Sequence, residues 1–287
     1  MTKRIGAHVS TAGGYDKALD RAQEINANCA QIFASSPRVW KSAWEQKLDR
    51  EVFLQKKQDL DVQPVFTHAL YLVNLASDKP ESVQKSVAAL TSELHFDAAI
   101  GGAGVIVHLG SHQGRGWEAS KEQVATAIAA ILAETPDEST FLIENSAGQK
   151  GKVCSDLSEI KWLLDQVKSP RLGWCFDTCH GFAAGYYMGS NPPTLTNHGN
   201  GSLLEEISRL NLWESLKCIH VNDSKGEFDS GLDRHENLGD GKIEREDLKH
   251  FLQHKQVKPI PLLLEVPGIA GDGPDAENVK RLRALAE

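Results

Sequence analysis

The 287-residue sequence lacks the features that mark membrane-bound and secreted proteins. It contains no apolar run near the ~18 residues that a membrane-spanning helix needs. Residues 1–8 are charged but precede no long apolar region, which argues against a secretory signal. The five cysteines are an odd number without a Cys-x-x-Cys pair, and no disulfide framework is indicated. We therefore expect a cytoplasmic protein without membrane contact.

Positive charge is also scarce. The chain has 31 Lys and Arg against 39 Asp and Glu, a net charge of −8. Phosphates are bound by positive charge, so the bulk value alone argues against a nucleic-acid partner. Bound divalent cations would neutralise much of this acidity at a local site, however, where a phosphate would bind. Net charge therefore leaves a nucleic-acid partner open.

Short apolar runs bounded by turn residues recur along the chain and predict eight strands. The predicted strands are residues 4–9, 29–33, 62–68, 104–109, 140–144, 172–176, 216–221 and 261–266. Helical spacing of apolar residues predicts helices between strands, as in 82–100, 120–132, 246–253 and 277–285. Regular strand–helix alternation without a linker predicts one domain spanning residues 1–287, a (β/α)8 TIM barrel.

Serines are the candidate helix N-caps, and loops the candidate recognition elements. Ser155 with Ser158, and Ser202, precede apolar helical patterns. Long or irregular segments follow the second, third, sixth and seventh strands, at residues 34–41, 71–74, 182–200 and 222–241. In a barrel these loops lie on the catalytic face, so we expect them to shape substrate recognition.

Nine residues able to bind a metal lie at the ends of these strands or in the loops that follow. They are His68, His108, Glu144, Asp177, His180, His220, Asp233, His235 and Glu265. A barrel gathers the carboxyl ends of its strands on one face, so these side chains would share a pocket. Four carboxylates and five imidazoles together would be strained without cations. The pattern predicts a site for several divalent ions.

The other histidines and the cysteines are weaker candidates. His8 and His112 remain ambiguous, and we expect them to contact ligands or substrate. We expect His95, His198, His250 and His254 to be bystanders, and Cys29, Cys175 and Cys218 to be buried as reduced thiols. Cys179 lies between two candidate ligands, but the surrounding oxygen and nitrogen donors argue against a ligand role.

Several motifs, in order, resemble the endonuclease IV family of apurinic/apyrimidinic endonucleases, which have a barrel fold. The most specific are segments 176–180 (Phe-Asp-Thr-Cys-His), 220–225 (His-Val-Asn-Asp-Ser-Lys) and 233–239 (Asp-Arg-His-Glu-Asn-Leu-Gly). Segments 5–10, 71–75, 108–112 and 143–148 support them. The resemblance extends from Ile5 to Glu265.

The resemblance implies a monomeric zinc enzyme that cleaves double-stranded DNA 5′ to an abasic site, leaves a 3′-hydroxyl and trims blocked 3′ ends. It implies three Zn2+ per chain, with Mn2+ as an alternative at some positions. One ion would bind His68 and His108, with Glu144 bridging to a second. Asp177, His220 and Glu265 would complete the second ion, and His180, Asp233 and His235 the third. Glu144 or Glu265 would also orient the nucleophile.

The resemblance further implies that Arg38, Tyr71 and Leu72 contact DNA at the flipped abasic nucleotide. Residues 34–37 (Ala-Ser-Ser-Pro) depart from the family pattern, as do Thr67 and Leu109, where some relatives have Pro. The first departure leaves the details of the DNA contacts open.

Two other functions would use part or all of this ligand set. A metal-dependent sugar isomerase or epimerase of the same barrel type needs a set such as Glu144, Asp177, His220 and Glu265. It has no evident use for His180, Asp233 and His235, so that trio distinguishes the two enzymes. A non-catalytic protein that binds damaged DNA or stores metal would have the same ligands but no turnover.

Overall fold

Eight parallel strands close into a barrel in the computed structural model, which describes residues 2–40, 43–149, 151–190 and 201–287. Neighbouring barrel strands follow chain order, and the last pairs with the first through Ile5 and Leu262. The barrel strands are β1 Ile5–His8, β2 Cys29–Phe33, β3 Val65–His68, β4 Val105–Val107, β5 Phe141–Glu144, β6 Leu172–Asp177, β7 Leu216–His220 and β10 Leu262–Leu264. All eight predicted strands are confirmed, most with slightly shorter ends.

Helices follow the strands and cover the outside of the barrel. Helix α3 begins two residues earlier than predicted, at Pro80, whose fixed φ suits a first helical turn. The described helices are α1 Tyr15–Glu24, α2 Arg50–Asp59, α3 Pro80–Ala99, α4 Lys121–Ala133, α5 Leu157–Val167, α6 Thr178–Ala183, α7 Leu203–Arg209, α8 Arg245–Leu252 and α9 Ala276–Ala286. Of the helices in the described residues, none is long and apolar enough to cross a membrane.

One of the two predicted serine caps is wrong. Helix α5 is capped by Asp156, whose carboxylate accepts a hydrogen bond from the Ser158 amide at 2.8 Å; neither Ser155 nor Ser158 is the cap. A carboxylate at a helix N-terminus also interacts favourably with the helix dipole. The predicted Ser202 cap of α7 is confirmed, and it forms a reciprocal capping box with Glu205.

Two predicted loops contain regular structure. Helix α6 starts directly after β6 and includes the first two residues of the predicted loop 182–200. The predicted loop 222–241 contains a short antiparallel ladder between β8 (Asp223–Ser224) and β9 (His235–Glu236). Residues 191–200 of the first loop, including His198, lie outside the described residues, as does Lys41 of the loop 34–41.

Alternation along the strands places a layer of apolar residues inside the barrel, just below the carboxyl ends. Successive side chains of a strand point to opposite faces, so the residue two positions after an interior side chain also points inward. On β1 the matching position is Gly6, where there is no room for a side chain because a Cβ would lie 1.9 Å from the Cys29 carbonyl oxygen. The interior layer consists of Cys29, Phe66, Ile106, Leu142, Cys175, Cys218 and Leu263.

Candidate metal centre

Six of the nine candidate ligands lie one inward-facing position above this layer. In β3, the buried Phe66 is followed two residues later by His68; in β5, Leu142 is followed by Glu144. The same spacing gives Asp177 and His220 at the ends of β6 and β7, and His108 and Glu265 just after β4 and β10. The structure thus brings all nine predicted residues together as three groups, within each of which the candidate ligand atoms lie within 4.8 Å of one another. The groups are His68, His108 and Glu144; Glu144, Asp177, His220 and Glu265; and His180, Asp233 and His235.

The first group meets at one carboxylate oxygen. Oε2 of Glu144 lies 3.1 Å from Nε2 of His108 and 3.5 Å from Nε2 of His68. The other ring nitrogen of His68, Nδ1, lies 2.7 Å from the Ala69 carbonyl oxygen, to which it donates. This hydrogen bond leaves a lone pair on Nε2 that faces the carboxylate. The same Glu144 oxygen is buried and accepts no hydrogen bond from any described residue, so a cation fits here.

The second group surrounds the imidazole of His220. Its Nδ1 lies 2.9 Å from Oε1 of Glu144, 3.4 Å from Oε2 of Glu265 and 3.9 Å from Oδ2 of Asp177. Glu144, Asp177 and His220 are buried, and Glu265 is half-buried. Because Glu144 contributes one oxygen here and the other to the first group, it is placed to bridge two ions.

The third group joins His180 of α6 to Asp233, which precedes β9, and to His235, the first residue of β9. Nδ1 of His180 donates to the Asn145 carbonyl oxygen at 3.1 Å, and Nδ1 of His235 donates to the Glu265 carbonyl oxygen at 3.2 Å. The two Nε2 atoms then face each other at 3.4 Å. Oδ1 of Asp233 is 3.2 Å from the first and 3.8 Å from the second. Two facing imidazole nitrogens attract a cation between them, either a proton or a metal ion.

Charge interactions in the centre match the donor set. Burial would raise the pKa of Glu144, but the imidazoles of His108 and His220 hold that pKa well below its ordinary value. Burial lowers the pKa of His108 to about 4, so its ring is neutral and able to donate a lone pair. Burial would also lower the pKa of His180, but Asp177 and Asp233 raise it to about 10. The carboxylates thus attract positive charge, which a metal ion would supply instead of protons.

Two asparagines outside the predicted set of site residues hold Asp177 in place. Oδ1 of Asn145 accepts from the Asp177 amide at 2.7 Å, and Nδ2 of Asn222 donates to Oδ2 of Asp177 at 2.6 Å. Oδ1 of Asn222 also accepts from the Glu265 amide at 2.8 Å. Such outer contacts orient ligands. Asn145 directly follows the last residue of β5, and Asn222 lies two positions after the last residue of β7. This closeness to the strand ends was the signal in the sequence that could have identified them.

His8, His112 and Cys179 have further contacts, and the sulfur of Cys179 also lies within 4.8 Å of candidate ligand atoms of Asp177 and His235. Nδ1 of His8 lies 3.4 Å from Oε1 of Glu265, at the edge of the centre. Nδ1 of His112 accepts from the amides of Gly114 and Gly116, so this ring stabilises the loop in which it lies. Cys179 donates to the Arg234 carbonyl oxygen, and burial raises the pKa of its thiol well above the ordinary value. All five cysteines are free and buried, as predicted for Cys29, Cys175 and Cys218.

Of the predicted recognition residues, Tyr71 lines a cavity of about 1160 Å³ above the centre, and Pro37 and Val39, the chain neighbours of Arg38, line it too. The side chain of Tyr71 is 59% exposed, and its ring packs edge-on against Phe33 and His68 at 5.4 and 5.7 Å between ring centres. The Tyr71 amide donates to the Pro37 carbonyl oxygen at 3.1 Å, which joins the two loops. Arg38 is exposed and Leu72 is half-buried.

Comparison with known proteins identifies first the class and then the family. A family model described as a xylose isomerase-like TIM barrel matches residues 19–285. Sequence relatives described as "Probable endonuclease 4" include one from Methanoculleus marisnigri, 36% identical over 98% of both chains, and one from Thermosipho melanesiensis, 38% identical over 92% of both. The crystal structure of endonuclease IV from Thermus thermophilus is 33% identical, with a TM-score of 0.83 over 98% of both chains.

The protein is therefore an enzyme of the xylose isomerase-like barrel class. Within that class, the chain belongs to the endonuclease IV family. A D-tagatose 3-epimerase-like protein has the same fold, with a TM-score of 0.71 over 98% of this chain, at only 17% identity. That second similarity shows the fold alone.

Proposed function

We propose that this chain is a zinc-dependent DNA-repair endonuclease. It hydrolyses the phosphodiester bond 5′ to an abasic site in duplex DNA, leaves a 3′-hydroxyl, and trims blocked 3′ ends. The observation that supports this function best is the third group, His180, Asp233 and His235, which lies beside the two groups that share Glu144. A sugar isomerase or epimerase needs about one or two ions and would not use this group. Phosphodiester hydrolysis uses closely spaced ions.

The nine residues of the three groups would hold three divalent ions, zinc above all, with manganese as an alternative at some positions. Imidazole and carboxylate donors with room for further ligands are typical of catalytic zinc sites. When bound, such ions supply a nucleophile at neutral pH and neutralise charge on the phosphoryl oxygens. Nothing in the donor set opposes this loading, because each group contains lone pairs or carboxylate oxygens directed at a common centre.

The chain's own side chains would orient the reaction. Glu144 is fully buried between two groups, whereas Glu265 also lines the cavity above them. A carboxylate at the cavity floor can accept a proton from the attacking water, so Glu265 is placed to orient the nucleophile. Glu144 would chiefly hold the two ions apart at a fixed distance.

Recognition of the damaged nucleotide would come from Arg38, Tyr71 and Leu72 on the loops that follow β2 and β3. Tyr71 projects into solvent from a base formed by Phe33 and His68, so it can occupy a gap in the base stack without losing its support. Arg38 and Leu72 would contact the strands on either side, as wedge residues do in other DNA-bending proteins. The cavity between these loops and the metal centre would hold the flipped sugar.

We further propose that residues 1–287 form one domain, which acts as a monomer in the cytoplasm. Five free, buried thiols suit a reducing compartment. Strands and helices alternate through the described chain up to α9, which has contacts with β1.

The proposed function is tested by incision of a labelled duplex that contains a single abasic site. Zinc-loaded protein should cleave 5′ to the site, and an intact duplex of the same sequence serves as the control. The same preparation should leave ketose and aldose sugars unchanged. Sugar isomerisation without DNA incision would establish the rival enzyme, and zinc binding with neither activity would establish a non-catalytic protein.

A further inference from the structure

Gln31 is a fully buried polar residue at the centre of the barrel, and none of the functions above uses it. It lies on β2 two positions after the interior residue Cys29, so it points inward at the level of the candidate ligands. In six other strands, the residue two positions after the interior layer is itself a candidate ligand. An uncharged amide at this level therefore needs a specific explanation.

The amide of Gln31 contacts three residues of the centre. Its Oε1 lies 2.7 Å from Nε2 of His220. Its Nε2 lies 2.5 Å from Oε1 of Glu265 and 2.8 Å from Nδ1 of His8. A carboxamide has two N–H donors and one carbonyl acceptor, so both donors and the acceptor are engaged.

The orientation of the amide follows from the carboxylate. Glu265 in its ionised form can only accept hydrogen bonds, so the NH2 group must face it and Oε1 must face His220. The reverse orientation would place two oxygens against each other at 2.5 Å.

This orientation fixes which nitrogen of each imidazole carries a proton. Nε2 of His220 must donate to the amide oxygen, so in the neutral, ion-binding ring the lone pair is on Nδ1, the atom directed at Glu144 and Glu265. Nδ1 of His8 must accept from the amide, which leaves the proton on Nε2. His8 lines the cavity above the centre and can therefore present an N–H donor to a bound ligand.

We propose that Gln31 is a positioning residue: its amide presents Nδ1 of His220 to the ion and holds the carboxylate of Glu265 beside it. The inference rests on the proposed function for the identity of the ion as zinc. Metal-binding imidazoles usually donate their second N–H to a carboxylate or a carbonyl oxygen, and here the amide oxygen of Gln31 would accept that hydrogen bond. In this centre, His68, His180 and His235 are held by carbonyl oxygens, and His220 is held by Gln31.

The test compares zinc-loaded parent protein with the Gln31→Met variant, which has a similar shape but no hydrogen bonds. Nitrogen-15 NMR of the histidine side chains reports which ring nitrogen carries the proton, and loss of one signal set in His220→Asn assigns that residue. Competition with a chelator measures zinc affinity. We expect the parent to carry the proton on Nε2 of His220, and Gln31→Met to bind one ion about ten- to a hundredfold more weakly.

Thr67→Val is the matched control. It also removes a buried hydrogen bond, 2.9 Å long, from a neighbouring strand, but Thr67 faces Asp97 of α3 rather than the centre. We expect Thr67→Val to lower the melting temperature and to leave zinc affinity and the His220 signals unchanged. The comparison separates positioning from general destabilisation.

The proposal is overturned if the parent carries the proton on Nδ1 of His220, or if folded Gln31→Met retains zinc affinity within about twofold. If Gln31→Met fails to fold, the parent spectrum alone decides. These readings do not depend on DNA cleavage. Failure of the zinc-loaded parent to incise an abasic duplex would refute the proposed function and leave the assignment of Gln31 to be judged by its own measurements.

Discussion

Replacing Glu144 with Gln should disable two ion sites at once. One carboxylate oxygen lies 3.1 Å from Nε2 of His108, and the other lies 2.9 Å from Nδ1 of His220. An amide keeps the shape but removes the negative charge, and its NH2 group would place hydrogens against one set of lone pairs. Neighbouring cations would then repel each other without the anion between them.

The expected magnitude follows from the two groups that share this residue. Loss of an outer partner of a metal ligand costs ~10- to 100-fold in affinity, so loss of a shared ligand should cost at least about a hundredfold, or ~3 kcal/mol, at each of two ions. Removal of one stabilising donor from an active site slows turnover ~10²- to 10³-fold. We therefore expect incision by Glu144→Gln to fall at least about a thousandfold.

Elemental analysis after dialysis against a weak chelator, followed by single-turnover incision of an abasic duplex, measures both effects. Glu93→Gln is the matched control, because Glu93 is also a buried glutamate but lies on α3 with Oε1 accepting from the Leu70 amide. It should retain the parent's zinc content. The reasoning is refuted if Glu144→Gln keeps the parent's zinc and incises DNA within about tenfold of the parent rate.

Three other predictions use the same preparations. Arg38→Ala and Tyr71→Ala should weaken binding of abasic duplex about ten- to a hundredfold by fluorescence anisotropy, with zinc unchanged; unchanged binding would remove them from the interface. His235→Ala should lose about one ion and lower turnover more than DNA affinity, and full metal content with full turnover would contradict the third site. Burial raises the pKa of Glu93 to about 8 from 4.5. Between these values only the unfolded chain releases the proton, so the parent's unfolding free energy should fall as pH rises from about 5 to 8. Denaturant titrations should show a flatter profile for Glu93→Gln, and parallel profiles would exclude Glu93 as the source.

The barrel was predictable because strand period and strand ends are local properties of the sequence. Runs such as residues 141–144 and 262–264 are buried on both faces, so they are continuously apolar up to their ends. The ligands were predictable because a charged or imidazole side chain at the end of such a run stands out. His68 and His220 are examples.

The supporting residues were harder to predict because their role depends on neighbours far away in sequence. Gln31 meets His220 and Glu265 only after β2, β7 and β10 have closed around the same axis. Its inward direction could have been deduced from the alternation after Cys29, but not its partners. Asp156 capped α5 in place of Ser155 because either residue type suits a cap, and local geometry decides between adjacent candidates.

Zinc content per chain, measured on protein that is active on abasic duplex, tests the central claim most directly. The three groups of ligands predict about three tightly bound ions, since three protein donors per ion leave positions for water and phosphate. Removal of the ions should abolish incision 5′ to the abasic site, and zinc should restore it. Active protein with one ion or none would contradict the account.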